Sequence, residues 1–112
     1  MYRYLSFLLF VSYYFSQIDK NLDFETGWYD NGQKMFQRSY NNKKASGKWT
    51  HWYPNGQLWT EGTYVNGKLE GKWITFYDNG QRWIKGNHKN GQRYGEWIFY
   101  KENGKVYDIK NY

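Results

Sequence analysis

Gly47-Lys48-Trp49-Thr50-His51-Trp52-Tyr53-Pro54-Asn55-Gly56 returns 24 residues later as Gly71-Lys72-Trp73-Ile74-Thr75-Phe76-Tyr77-Asp78-Asn79-Gly80. It returns once more as Gly95-Glu96-Trp97-Ile98-Phe99-Tyr100-Lys101-Glu102-Asn103-Gly104. Three residues past each closing glycine stands another aromatic: Trp59, Trp83 and Tyr107. A second Asn-Gly ends each full unit, at Asn66-Gly67 and Asn90-Gly91. Upstream, Asn31-Gly32 keeps the phase, but Asp23 replaces the leading glycine and Asn42-Lys43 replaces the second Asn-Gly. A fixed period of this length marks a tandem array, in which each unit buries its apolar face against its neighbours.

The spacing fixes the secondary structure. Asn-Gly is a strong hairpin signal, because a type I′ turn needs positive φ at both central residues. The runs between turns are rich in Trp, Tyr, Thr and Ile, which suit strands. No run carries a 3.6-residue period. The sequence therefore predicts an all-β fold, a single-layer antiparallel β-meander of hairpin repeats, two strands per unit. Units fall at approximately 23–46, 47–70, 71–94 and 95–112, within a repeat domain spanning 17–112. The turn glycines are Gly32, Gly56, Gly67, Gly80, Gly91 and Gly104, each expected in a two-residue turn.

Alternation places Trp49, Trp73 and Trp97 on one face as a structural ladder. Trp73, with neighbours on both sides, is expected to be the most sensitive to substitution. Gly62 and Gly86 are costly inside strands unless a neighbouring indole lies on the backbone there. Too little chain remains to cover both faces of such a sheet. Some of Trp52, Phe76, Tyr100, Trp59, Trp83 and Tyr107 are therefore expected to be exposed and to form a binding surface, with the Trp52–Phe76–Tyr100 side the first place to look.

Aromatics make up 24% of the chain, and they explain how a sequence of mean hydropathy −1.07 can still fold. The net charge of +6 admits anionic partners. Lysines and arginines are dispersed among acids and form no stripe, which speaks against nucleic acid. There are no cysteines, which removes disulfides, thiolate metal sites and thiol nucleophiles. Residues 1–16 begin with Arg3 and continue as an uncharged apolar run, Leu5 to Phe15. That run is too short to span a bilayer and fits a signal peptide. The expected product is exported to the periplasm, cell surface or medium, with no membrane span in the mature chain.

Chemistry is sparse. His51 and His88 occupy non-equivalent positions in different units and have no carboxylate pair at metal-site spacing. Ser39 and Ser46 lack a nucleophile-elbow context. The glycines precede strands, where a phosphate-cradling glycine would precede a helix. No catalytic residue, metal site or cofactor is expected, and the chain reads as a non-enzyme.

The recurring residues Gly47, Trp49, Tyr53, Asn55, Gly56, Gln57, Gly62, Tyr64, Asn66 and Gly67 resemble the MORN-repeat variant of bacterial YwqK-type antitoxin-like proteins. His88 in place of a recurring Tyr64, Lys101 in place of the motif Tyr and the short last unit depart from the pattern. The resemblance implies a repeat scaffold and a protein-interaction role, antitoxin-like in that it would sequester a partner protein. Two alternatives stand beside it: cell-wall or glycan binding through exposed aromatics, and binding of anionic phospholipid, as proposed for related repeats.

Overall fold

A computed structural model describes residues 22–112. The expected signal peptide at 1–16 lies outside them. The described chain forms β1 (Leu22–Trp28), β2 (Lys34–Asn41), β3 (Lys44–Ala45), β4 (Gly47–Trp52), β5 (Leu58–Val65), β6 (Lys68–Leu69), β7 (Gly71–Phe76), β8 (Arg82–Lys89), β9 (Gln92–Tyr100) and β10 (Val106–Asn111). All pairings are antiparallel, in one open sheet of order β1-β2-β4-β5-β7-β8-β9-β10, with β3 on β2 and β6 on β5. The fold is the single-layer meander that the repeat implies.

The two Asn-Gly sites of a unit make different turns. At the second site both central residues have positive φ: 49° and 81° at Asn66-Gly67, 51° and 80° at Asn90-Gly91. Asn42-Lys43 does the same at 49° and 65° without a glycine. These are two-residue type I′ hairpins. The first site differs from the two-residue expectation. Gly56 N–H donates to Tyr53 O at 2.9 Å and Tyr53 N–H to Gln57 O at 2.8 Å, and only the glycine has positive φ, 86°. This is a three-residue loop, a type I turn closed by a left-handed glycine. The side chain of Asn55 decides it, since its Oδ1 accepts from Gln57 N–H at 2.9 Å and Pro54 suits the first central position. Asn31, Asn79 and Asn103 accept in the same way from Gln33, Gln81 and Lys105.

Each unit is fastened to the next along this edge. The Asn55 amide donates to Asp78 O at 2.9 Å, and Asn31 and Asn79 repeat the bond to Pro54 O and Glu102 O. Tyr29, Tyr53 and Tyr77 each donate their hydroxyl to a carbonyl of the following unit, at Trp52, Phe76 and Tyr100, all at 2.7 Å. Gln33, Gln57 and Gln81 lie against the bare Cα of Gly56, Gly80 and Gly104. At the opposite edge Gly67 N–H donates to Ala45 O and Gly91 N–H to Leu69 O.

Burial is shallow, as one layer requires. Among the described apolar side chains only Trp97 (2% exposed) and Tyr100 (8%) are buried. Trp97 is thus set deeper than Trp73. The reason is local: His88, Tyr112 and the Arg93 guanidinium close around its ring, with centroid distances of 5.0, 6.2 and 4.7 Å.

Candidate binding face

One face of the sheet carries most of the aromatic rings. Trp73 lies flat on Gly62, where a Cβ would sit 2.5 Å from its Cε3, and Trp97 lies in the same way on Gly86. Trp49 has no glycine beneath it. The equivalent position is Arg38, whose guanidinium lies 5.2 Å from the Trp49 ring and 4.0 Å from Phe36. Between the tryptophans stand residues of a second phase. Tyr40 and Tyr64 flank Trp49 at 5.2 and 4.7 Å, and His88 touches both Trp73 and Trp97. The indole N–H of Trp49 donates to Ser39 O at 2.9 Å and that of Trp97 to Asn87 O at 3.1 Å. The ladder is thereby locked to the backbone.

Trp59, Trp83 and Tyr107 reach this same face by a device that the repeat pattern conceals. His51 pairs with Thr60 and Trp52 with Leu58, so Trp59 is the extra residue of a β-bulge. The irregularity recurs at Met35, Trp83 and Tyr107. A bulge re-aims the side chain it adds. Trp59 accordingly stacks on Tyr53 at 5.2 Å and 23°, and Trp83 on Tyr77 at 5.1 Å and 20°. Trp59, Trp83 and Tyr107 are 39%, 37% and 60% exposed. Successive members are two strands apart, a spacing of ~9–10 Å.

The six aromatic candidates therefore do not share a face. Trp52, Phe76 and Tyr100 alternate onto the other side. Trp52 and Phe76 are half-buried and Tyr100 is buried, and their carbonyls are the acceptors for the tyrosines. That side is the weaker candidate, because these three residues are less exposed than the bulge row. Sequence alternation missed the bulges, since one extra residue per hairpin leaves the 24-residue period intact.

Polar chemistry on the aromatic face is confined to a few groups. Arg38 Nη2 lies 3.1 Å from His51 Nε2 and Arg38 Nη1 3.7 Å from Glu25 Oε2, which also accepts from Tyr40 OH at 3.0 Å. Burial, with the Arg38 charge second, holds His51 below the usual histidine range. Burial and then Arg93 do the same to His88. Burial raises Tyr53 and Tyr77, so both stay protonated donors. Among the described residues no group of three or more His, Asp or Glu is placed to hold a metal ion.

No curated protein and no solved structure matches the chain. The profile of the MORN repeat variant matches it four times, over residues 25–42, 45–66, 69–90 and 93–112. These matches cover well over half of the sequence and coincide with the hairpin units, so the chain belongs to the MORN repeat variant family.

Proposed function

We propose that this protein is a non-catalytic protein-interaction module, exported and antitoxin-like in the sense of sequestering a partner protein. The observation that carries the reading is the bulge row: Trp59, Trp83 and Tyr107, exposed at one ring per unit. Two of the three are held rigid by a tyrosine whose hydroxyl is pinned to the next unit. Rings fixed in this way lose little rotamer freedom on binding, and aromatics with a polar tip suit the centre of a protein interface. The apolar run Leu5 to Phe15 supports export.

The test is a pull-down from the native cell envelope with the wild-type chain and with Trp83→Ser, each checked by thermal melt. One dominant protein partner, lost with Trp83→Ser while the fold persists, is expected. Retention of that partner by Trp83→Ser would remove the bulge row from the interface. A glycan reading draws on the same stacked rings, and competition by soluble cell-wall fragments, insensitive to salt, would favour it. Capture on anionic vesicles that fades as salt rises would favour lipid.

A further inference from the structure

The two ends of the sheet are unmatched halves of the junction that joins the units internally, and we infer that copies of this chain associate head to tail, β10 of one against β1 of the next. The unsatisfied groups argue for it. Within the chain each hairpin asparagine donates to a carbonyl of the following unit. The Asn103 amide has no acceptor among the described residues, and its repeat-equivalent acceptor would be Asp30 O of a second copy. Of the three-residue-loop glycines, Gly56, Gly80 and Gly104 are each covered by a glutamine of the preceding unit, whereas Gly32 has nothing within 4 Å of where its Cβ would lie. Lys105 of a preceding copy would occupy that space. Tyr29, Tyr53 and Tyr77 donate forward; Lys101 stands in their phase and could donate its ammonium to Trp28 O of the next copy.

Charge agrees with geometry. In the two later internal junctions a tryptophan lies on the glycine of the preceding unit, and in the first Trp49 lies on Arg38. Carried across the ends, that contact would bring Glu25 of one copy onto Lys110 of another. Glu25 is an exposed acid on a strand that also carries Asp23 and has no lysine or arginine. The other end offers Lys101, Lys105 and Lys110. Lysines often blunt a sheet edge against pairing, but here the repeat register sets Lys101 against a carbonyl and Lys110 against a carboxylate. That register places Ile109 opposite Thr26 and Asp108 opposite Gly27, as Lys85 opposes Ile98 and Ile84 opposes Phe99 inside the chain. Phe24, Trp28, Val106 and Ile109 are exposed apolar side chains on these two edge strands, and the contact would cover them. It is heterologous, so it builds an open stack or a closed ring.

Sedimentation velocity of the full chain over a range of concentrations tests this, with Lys110→Glu and Glu25→Lys as variants. Expected is a mass that grows with concentration and falls with added salt. Each single variant should weaken association by roughly tenfold or more, since like charges then face each other. An equimolar mixture of the two should restore it. Because the chain has no cysteine, copies carrying Thr26→Cys and Ile109→Cys supply a second reading. Cross-strand neighbours lie within disulfide reach, so the mixed 26–109 dimer should outnumber both homodimers. A monomer at all concentrations, association indifferent to Lys110→Glu, or cross-linking without preference would each overturn the inference and leave the lysines as end caps only.

Discussion

The first junction in the array and the later ones solve the same packing problem with different chemistry. At Gly62 and Gly86 the absent Cβ lets an indole lie directly on the backbone. At the first junction Arg38 replaces the glycine, and Trp49 meets a guanidinium held by His51, Phe36 and Glu25. In the first unit Glu25 stands where a tryptophan would need a preceding glycine, and the described array has none before it. In the last, Lys110 stands where a glycine would serve a following tryptophan. What recurs is therefore the contact between neighbours, and the departures from the motif at Arg38, Glu25 and Lys110 belong to the first junction and to the two edge strands of the described array.

The comparison is easiest to break at the tryptophans. Trp97→Ala is expected to cost about 3–5 kcal/mol, as for other buried large aromatics, and Trp49→Ala clearly less, because its ring rests on a half-exposed cation. Equal urea midpoints for the two variants would show that the arginine seat is as good as glycine. The seats themselves come next. Gly62→Ala forces a Cβ against Trp73 and should destabilise by roughly 1–3 kcal/mol. Arg38→Ala adds no atom beneath Trp49, and its ion pair is too exposed to contribute much; a larger loss at Arg38 than at Gly62 would reverse that ranking.

Smaller effects sharpen the same contrast. Asn79 and Asn103 both cap their own turn, but only Asn79 also bonds the following unit. Asn79→Ala should exceed Asn103→Ala by about 0.5–1.5 kcal/mol, the net worth of one hydrogen bond. The smallest effect is with pH. The folded state holds His51 below its ordinary value of about 6.5, mainly by burial, and keeps it neutral as a partner for Arg38. The unfolded chain then binds the proton more readily. This contribution is complete above the ordinary value and is lost as pH falls through it toward the folded one. His51→Gln should lose less stability than wild type between pH 8 and pH 5 in chemical denaturation; identical losses would remove His51 from the pH response.

Much of this architecture is legible in the residues. The Gly-x-Trp and Asn-Gly spacing dictates hairpins, and Gly62 and Gly86 make sense only beneath a ring, which is where Trp73 and Trp97 lie. The turn geometry was harder to read, because Asn55-Gly56 and Asn66-Gly67 are the same dipeptide. What separates them is Asn55 Oδ1 capturing Gln57 N–H and a proline ahead of it. The exposed face was hardest. A bulge shifts one side chain across the sheet without changing the period, so counting could not show the device by which Trp59 reaches the ladder face or that it stacks on Tyr53 there. Nor could the depth of Trp97 be read, since it depends on His88 and Tyr112 arriving from the neighbouring strands and on Arg93 of its own strand folding over the ring.

The forward-reaching asparagine and tyrosine bonds have a consequence for the order in which this molecule assembles in time. Among the described residues the side-chain hydrogen bonds between units reach at most 23 positions along the chain. Closing a loop of that length costs much the same at every junction, because closure entropy grows only with the logarithm of length. No distant segment must be found before a unit can dock. Folding can begin at any hairpin and extend in both directions like a zipper, at rates typical of chains dominated by local contacts. A nascent chain could thus settle its early units while later ones are still being made.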